Sequence, residues 1–228
     1  MTNKNLKLLI EKLNKNKTAG LIHLRPLSNI VDFAKVWTEQ PKPMDKISYP
    51  DGPYKFYFIK NLEGLFVATV LDMGNDLHWF VDNNHRQQGH LTKAMKEIIL
   101  FHLFQDREEQ RITINENEIV EKDFKASENV AFSLGFVKNK NSEYILTSSK
   151  YQADNFIFEQ NTQLTEERLR ELQKQINYLS RSLWVIHSEI EMNLGNDYAE
   201  ELKELVDEIK KHTWRLEDAW WESKNTIV

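Results

Sequence analysis

Apolar positions recur along the chain with three different rhythms. Over residues 4–16, Leu6, Leu9, Ile10 and Leu13 fall at helical spacing, which predicts a short amphipathic helix. Thr18-Ala19-Gly20 ends it, and Leu21–Leu24 reads as a short strand. Ser28 stands where it would cap a helix carrying Ile30, Val31, Phe33, Ala34 and Trp37. The stretch 41–53 is proline-rich and reads as a loop. Tyr54–Lys60 and Leu65–Leu71 flank Asn61-Leu62-Glu63-Gly64, a hairpin signal with glycine in the turn. Leu77–Val81 follows a turn at Gly74-Asn75 as a third strand. Residues 88–105 predict a helix with Leu91, Ala94, Met95, Ile98, Ile99 and Leu103 on one side. Arg111–Asn115 is strand-like, and a helix from about 127 to 134 stops at Gly135. Val137–Lys140 and Glu143–Thr147 close a hairpin around Asn141-Ser142.

The third rhythm fills residues 163–222. Leu169, Leu172, Ile176, Leu179, Leu183, Ile186 and Ile190 alternate steps of three and four, the seam of a coiled-coil helix. Gly195-Asn196-Asp197 breaks the chain, with Asp197 and Glu200 spaced as a capping box. A second seam runs Tyr198, Leu202, Leu205, Ile209, His212, Leu216 and Ala219. So short a connection folds the two helices into an antiparallel hairpin. Two helices bury little surface alone, so a further partner is expected: the preceding domain or another subunit, with Trp184, Trp214, Trp220 and Trp221 as aromatic surface.

The element order implies an α/β (α+β) domain of about six or seven strands covered by helices. The expected division is a helix at 1–19, a domain at 20–150 and a helical hairpin at 163–224. Cysteine is absent, which excludes disulfides, thiolate metal sites and a cysteine nucleophile. The polar, lysine-rich start is unlike a secretory signal, and no apolar run approaches the ~20 residues that span a bilayer. A cytoplasmic protein without membrane contact is the expectation. A net charge of -5 argues against nucleic acid as a partner and suits a cationic one, such as an amine. His23, His85, His90, His102, His187 and His212 show no metal-ligand spacing, so no metal site is expected.

The chemistry concentrates in Leu77–Met95, where a strand runs through a loop and a glycine into an amphipathic helix. The first amides of such a helix have no intrahelical partner and lie at the positive end of its dipole. A pyrophosphate fits there. Gly89 lets the backbone approach it, Arg86 adds a cation, and Gln87, Gln88, Gly89, His90, Leu91 and Thr92 supply the amide cradle. Arg86-Gln87-Gln88-Gly89-His90-Leu91 resembles the acyl-CoA signature of the Gcn5-related N-acetyltransferases (GNAT), Gln/Arg-x-x-Gly-x-Gly/Ala, with Leu91 in place of the last small residue. Ala126-Ser127 with Leu134-Gly135-Phe136 resembles that family's second motif, Ser127 standing eight residues before Gly135. Phe124 stands where the family has asparagine, and Ala131 where many members place a tyrosine acid.

The resemblance covers residues 20–148. It implies a mixed, mostly antiparallel central sheet, acetyl-CoA as co-substrate, and transfer of an acetyl group to a primary amine of a small molecule or protein. It implies Ser127 at the cofactor, an oxyanion donor on the Leu77–Val81 strand near Phe80 or Val81, and a base among Asp72, Asp76, Asp82 and His78, with Asp76 and His78 favoured. The alternatives are a non-catalytic acyl-CoA-binding module and an interaction scaffold acting through the hairpin, which also makes a homodimer through the C-terminal helices an expectation.

Overall fold

The computed structural model describes residues 1–18, 21–46, 52–116, 120–139, 142–151 and 164–225. It divides into two units, Met1–Asn161 and Thr162–Val228.

In the first unit, α1 (Asn3–Asn14) precedes five antiparallel strands in sequence order: β1 (Ile22–Pro26), β2 (Val31–Val36), β3 (Tyr54–Lys60), β4 (Phe66–Asp72) and β5 (Leu77–Val81). A helical segment, α2, follows over 90–103. It consists of His90–Ala94, a π turn at Met95–Ile99, and Leu100–Leu103. Then come β6 (Glu109–Thr113), α3 (Glu121–Ser133), β7 (Val137–Lys138) and β8 (Glu143–Thr147), the three strands forming a second sheet in the order β6-β8-β7.

The large sheet is buried on both faces. Val31, Tyr57, Ile59, Ala68, Val70 and Leu77 pack with the apolar side of α2 and with Ala131 of α3. Ala34, Val36, Phe56, Phe58 and Leu71 pack instead with Leu6, Ile10 and Leu13 of α1. The N-terminal helix, set apart in the sequence reading, is thus a layer of the same unit.

This two-sided burial explains one misreading. The segment predicted as a helix carrying Ile30 to Trp37 is strand β2, paired with β1 and β3. A strand with one wet face alternates apolar and polar. β2 is apolar on both parities, Val31 and Phe33 toward one core and Ala34 and Val36 toward the other, so its pattern mimics a helix. Ser28 caps a turn rather than a helix, its Oγ accepting the amides of Ile30 at 3.2 Å and Val31 at 3.1 Å. A second correction concerns α3, which starts at Glu121 and holds Ser127 in its interior, not at its first turn.

Where β1, β2, β3 and the end of α2 meet, His102 bridges two partners. Arg25 Nη2 lies 2.9 Å from Nε2, and Tyr57 Oη lies 2.8 Å from Nδ1. A guanidinium only donates, so Nε2 accepts and the Nδ1–H donates to Tyr57. Burial first, and the Arg25 charge second, hold this imidazole below the usual histidine value. A histidine depressed in the folded state takes up its proton first in the unfolded chain. Its contribution to stability is therefore complete above the unfolded value of about 6.5 and is lost as pH falls below it. Urea midpoints measured from pH 8 to pH 5 are expected to drop more steeply for the natural chain than for His102→Gln; parallel curves would refute the assignment.

The second unit is a pair of antiparallel helices, α4 (Glu166–Leu194) and α5 (Asn196–Asn225), turning at Gly195. Thr165 caps α4, accepting the Arg168 amide at 3.2 Å. The expected Asp197 cap lies outside the described side chains. The seam differs from the predicted one. Leu169 is buried as expected, but Ser180 and His187 are buried too, while Leu179 and Ile186 are 58% and 49% exposed. On α5, Ala199, Val206 and Trp220 are buried and Leu205 is 50% exposed. Gln173, Ser180 and His187 form a column seven residues apart. The Gln173 amide donates to Thr213 O at 3.0 Å, and Ser180 Oγ to Val206 O at 3.2 Å. Small residues such as Ser180 and Ala199 let the backbones approach closely, and the bulkier column Leu172, Leu179, Ile186 is turned to the flank.

Candidate functional site

The loop between β5 and α2 is built by its own polar residues. Asp82 Oδ1 accepts the Asn84 amide at 3.0 Å, closing a 3₁₀ turn over Asn83–His85. Gln88 Nε2 donates to Asn84 O at 3.1 Å, and its Oε1 lies 3.1 Å from His90 Nε2. Gln87 and Gly89 both take left-handed backbone angles, φ 62° and 78°. Left-handed residues alternating into a helix start turn successive amides toward one concavity. No side chain caps α2, and no carbonyl outside the helix accepts the amides of Gln87 to Thr92 among the described residues. A Cβ placed on Gly89 would meet nothing within 4 Å, so the concavity is open. Leu91 contributes only its backbone, since its side chain lies in the core.

Arg86 does not hang free over this loop. Its Nη1 donates to Asp123 Oδ1 at 3.0 Å, and its Nε lies 3.4 Å from Val81 O. The pair ties the loop to the first turn of α3, where Asp123 also suits the positive helix end. Ser127 lies one turn further along the same face of α3, half-buried.

Beside the loop, the two sheets part. β5 and β6 meet in one parallel bridge, Asp76 to Arg111, and β5 is otherwise the edge of its sheet. The bridged end is stapled. Asp76 Oδ1 accepts the amides of Leu77 at 2.8 Å and Thr113 at 3.0 Å. Arg107 spans the same end, donating to Asp72 Oδ2 at 2.6 Å, Gly74 O at 2.8 Å and Gln110 Oε1 at 2.7 Å. At the opposite end, where β5 runs into the loop, no further bridge joins the two strands among the described residues.

The phase of β5 shows which backbone groups face the gap. Asp82 donates to Val67 O at 2.9 Å and Met73 to Asp76 O at 3.0 Å. His78 and Phe80 therefore pair with β4, and Leu77, Trp79 and Val81 point their backbones the other way. Of the two residues expected to supply an oxyanion donor, Val81 presents its amide to the gap and Phe80 does not; Trp79, not foreseen, does.

Three of the carboxylates considered as bases are bound into structure. Asp72 accepts Arg107 and the Gly74 amide, Asp76 two backbone amides, and Asp82 the Asn84 amide. His78 differs. Its Nε2 lies 3.1 Å from Asn3 Oδ1, so Nε2 carries the proton and Nδ1 keeps its lone pair. Burial first, then the charge of the N-terminal amine, hold it below the ordinary histidine value, which favours the neutral, basic form. Asn3 and Asp123 escaped the sequence reading; each is brought in by pairing between elements far apart in the chain.

Among the described residues, no group of three His, Cys, Asp or Glu side chains could hold a metal ion, and no helix is long and apolar enough to cross a membrane. Comparison with protein-family models, curated proteins and solved structures found no match for this chain.

Proposed function

We propose that the first unit is an acyl-CoA-dependent N-acyltransferase of the GNAT type, moving an acetyl group from acetyl-CoA to a primary amine. The observation that carries this reading is the open concavity of unpaired amides at 87–92, set against strands that are stapled at one end and parted at the other. An anion such as a pyrophosphate suits the amides at the start of α2. A slender thioester arm suits the gap, where the amides of Trp79 and Val81 offer donors for an oxyanion. His78 Nδ1 is the best-placed acceptor for the proton that an ammonium loses before it attacks. The products are an amide and a thiol, and water supplies the proton for the leaving thiolate, because Ala131 is fully buried in the core where many family members carry tyrosine.

Calorimetric titration of the full chain with acetyl-CoA, followed by a thiol-release assay across a panel of amines, tests the reading. Saturable binding and amine-dependent thiol release are expected. His78→Gln should lower kcat by roughly a hundredfold while leaving acetyl-CoA binding unchanged. Absence of binding at millimolar acetyl-CoA would end the proposal.

A second reading, an acyl-CoA-binding module without turnover, draws on the buried Ala131. Tight binding with no thiol release from any amine would favour it.

A further inference from the structure

The hairpin carries more apolar surface than its own seam consumes. A column of half-buried Leu172 with exposed Leu179 and Ile186 runs along α4 at seven-residue spacing, and exposed Leu205 with half-buried Ile209 and Leu216 runs along the facing flank of α5. Between them lies an apolar groove of about 400 Å³, lined by Ile176, Leu179, Ile209, His212, Arg215 and Leu216. Meanwhile the closed seam buries a polar column, in which His187 Nδ1 has no hydrogen-bond partner among the described residues and lies 4.0 Å from the Glu191 carboxylate. The helices have thus taken one polar column into their seam and left apolar residues, Leu179 and Ile186 of α4 and Leu205 of α5, on the outside.

We infer that this face binds the same face of a second copy of the chain, forming an antiparallel four-helix bundle. Three observations select that occupant. Steps of seven along α4 and of four and seven along α5 are heptad spacings, which fit helices of the same pattern whose side chains enter one another's gaps. Both columns belong to one patch, as a two-fold interface requires; with the axis running across the helices, α4 of one copy meets α4 of the other and α5 meets α5. The area is also adequate. Helices of 29 and 30 residues are roughly 45 Å long and together about 20 Å wide. Face-to-face packing would thus bury roughly 900 Å² on each copy, within the range of stable interfaces.

Charge sets the direction. The connection end is strongly acidic, with Glu200, Glu201, Glu204 and Glu208 on the first turns of α5. The open end carries both signs, with Arg168, Arg170 and Lys174 among its carboxylates. Placing the two connections at opposite ends of the bundle sets each acidic end beside a mixed one; the parallel arrangement would set acid against acid. The same acidity disfavours nucleic acid or an anionic lipid surface as the occupant.

Sedimentation equilibrium of the full chain is expected to give twice the chain mass at micromolar concentration. Leu179→Glu combined with Leu205→Glu should give a single chain mass with unchanged helical circular dichroism, since both positions are already exposed. The chain lacks cysteine, so one introduced thiol reports geometry without background. Leu179→Cys, near the middle of α4, should cross-link two copies on oxidation, and Met192→Cys, beside the connection, should not. A natural chain that stays monomeric to millimolar concentration, a dimer indifferent to the double substitution, or preferential cross-linking through Met192→Cys would each overturn the inference.

Discussion

On the acyl-CoA reading proposed for the first unit, Gly89→Asp is expected to weaken CoA binding by at least a hundredfold without unfolding the chain. A carboxylate there points into open space, so there is no clash to relieve. It would stand close to a bound pyrophosphate, and two like charges 4 Å apart repel by about 4 kcal/mol at an effective dielectric near 20. The left-handed backbone at φ 78° adds a strain of about 1 kcal/mol for any side chain. Gly89→Asn separates the two effects, because asparagine tolerates that backbone and carries no charge. Arg86→Ala should weaken binding by tenfold at most, since an exposed cation already paired with Asp123 contributes about 1 kcal/mol or less. Calorimetric titration of the three variants orders them. Equal losses from Asp and Asn would make the effect steric, and no loss from either would mean that the amides do not hold the ligand.

Arg107→Met is expected to destabilise the first unit by about 3–5 kcal/mol, the cost of leaving a buried charge uncompensated. The Asp72 side chain is 2% exposed, against 21% for Arg107. Loss of the cation strands a carboxylate that cannot reach water, whereas Asp72→Asn leaves a guanidinium that can. The second substitution should therefore cost clearly less than the first, and the double variant less than the sum of the two. For a unit of this size the first loss lowers Tm by on the order of 10 °C. Thermal unfolding followed by circular dichroism measures all three. Equal losses from the two single variants would refute the asymmetry.

Much of this architecture is legible in the sequence where local rules act alone. The strands from Tyr54 to Val81 were bounded to within a residue, because glycine turns at Gly64 and Gly74 punctuate them. The loop at 86–92 was legible for the same reason: strand, glycine and amphipathic helix follow one another directly. Legibility ended where burial came from two sides at once. β2 carries apolar residues on both parities and lost its alternation. α4 carries two apolar columns, and spacing alone could not say that Gln173, Ser180 and His187 would be preferred to one of them in the seam. The partners of the site residues were equally hidden. Nothing in the spacing of Arg86 and Asp123, or of Asn3 and His78, announces that they meet.

The π turn at Met95–Ile99 governs the direction in which α2 faces at its start. A wide turn takes up one extra residue without rotating the segments on either side. Ile98, Ile99 and Leu100 are consequently all buried, three in a row, where a regular helix would turn one of them outward. The Tyr151 hydroxyl donates to the Lys96 carbonyl within that turn. Deleting one residue there would restore ordinary helical winding and keep both ends aimed as they are. Deleting one elsewhere between 90 and 103 would swing the leading amides about 100° around the axis, away from the gap between the sheets. Only at this point can the helix change length and still aim its leading amides the same way.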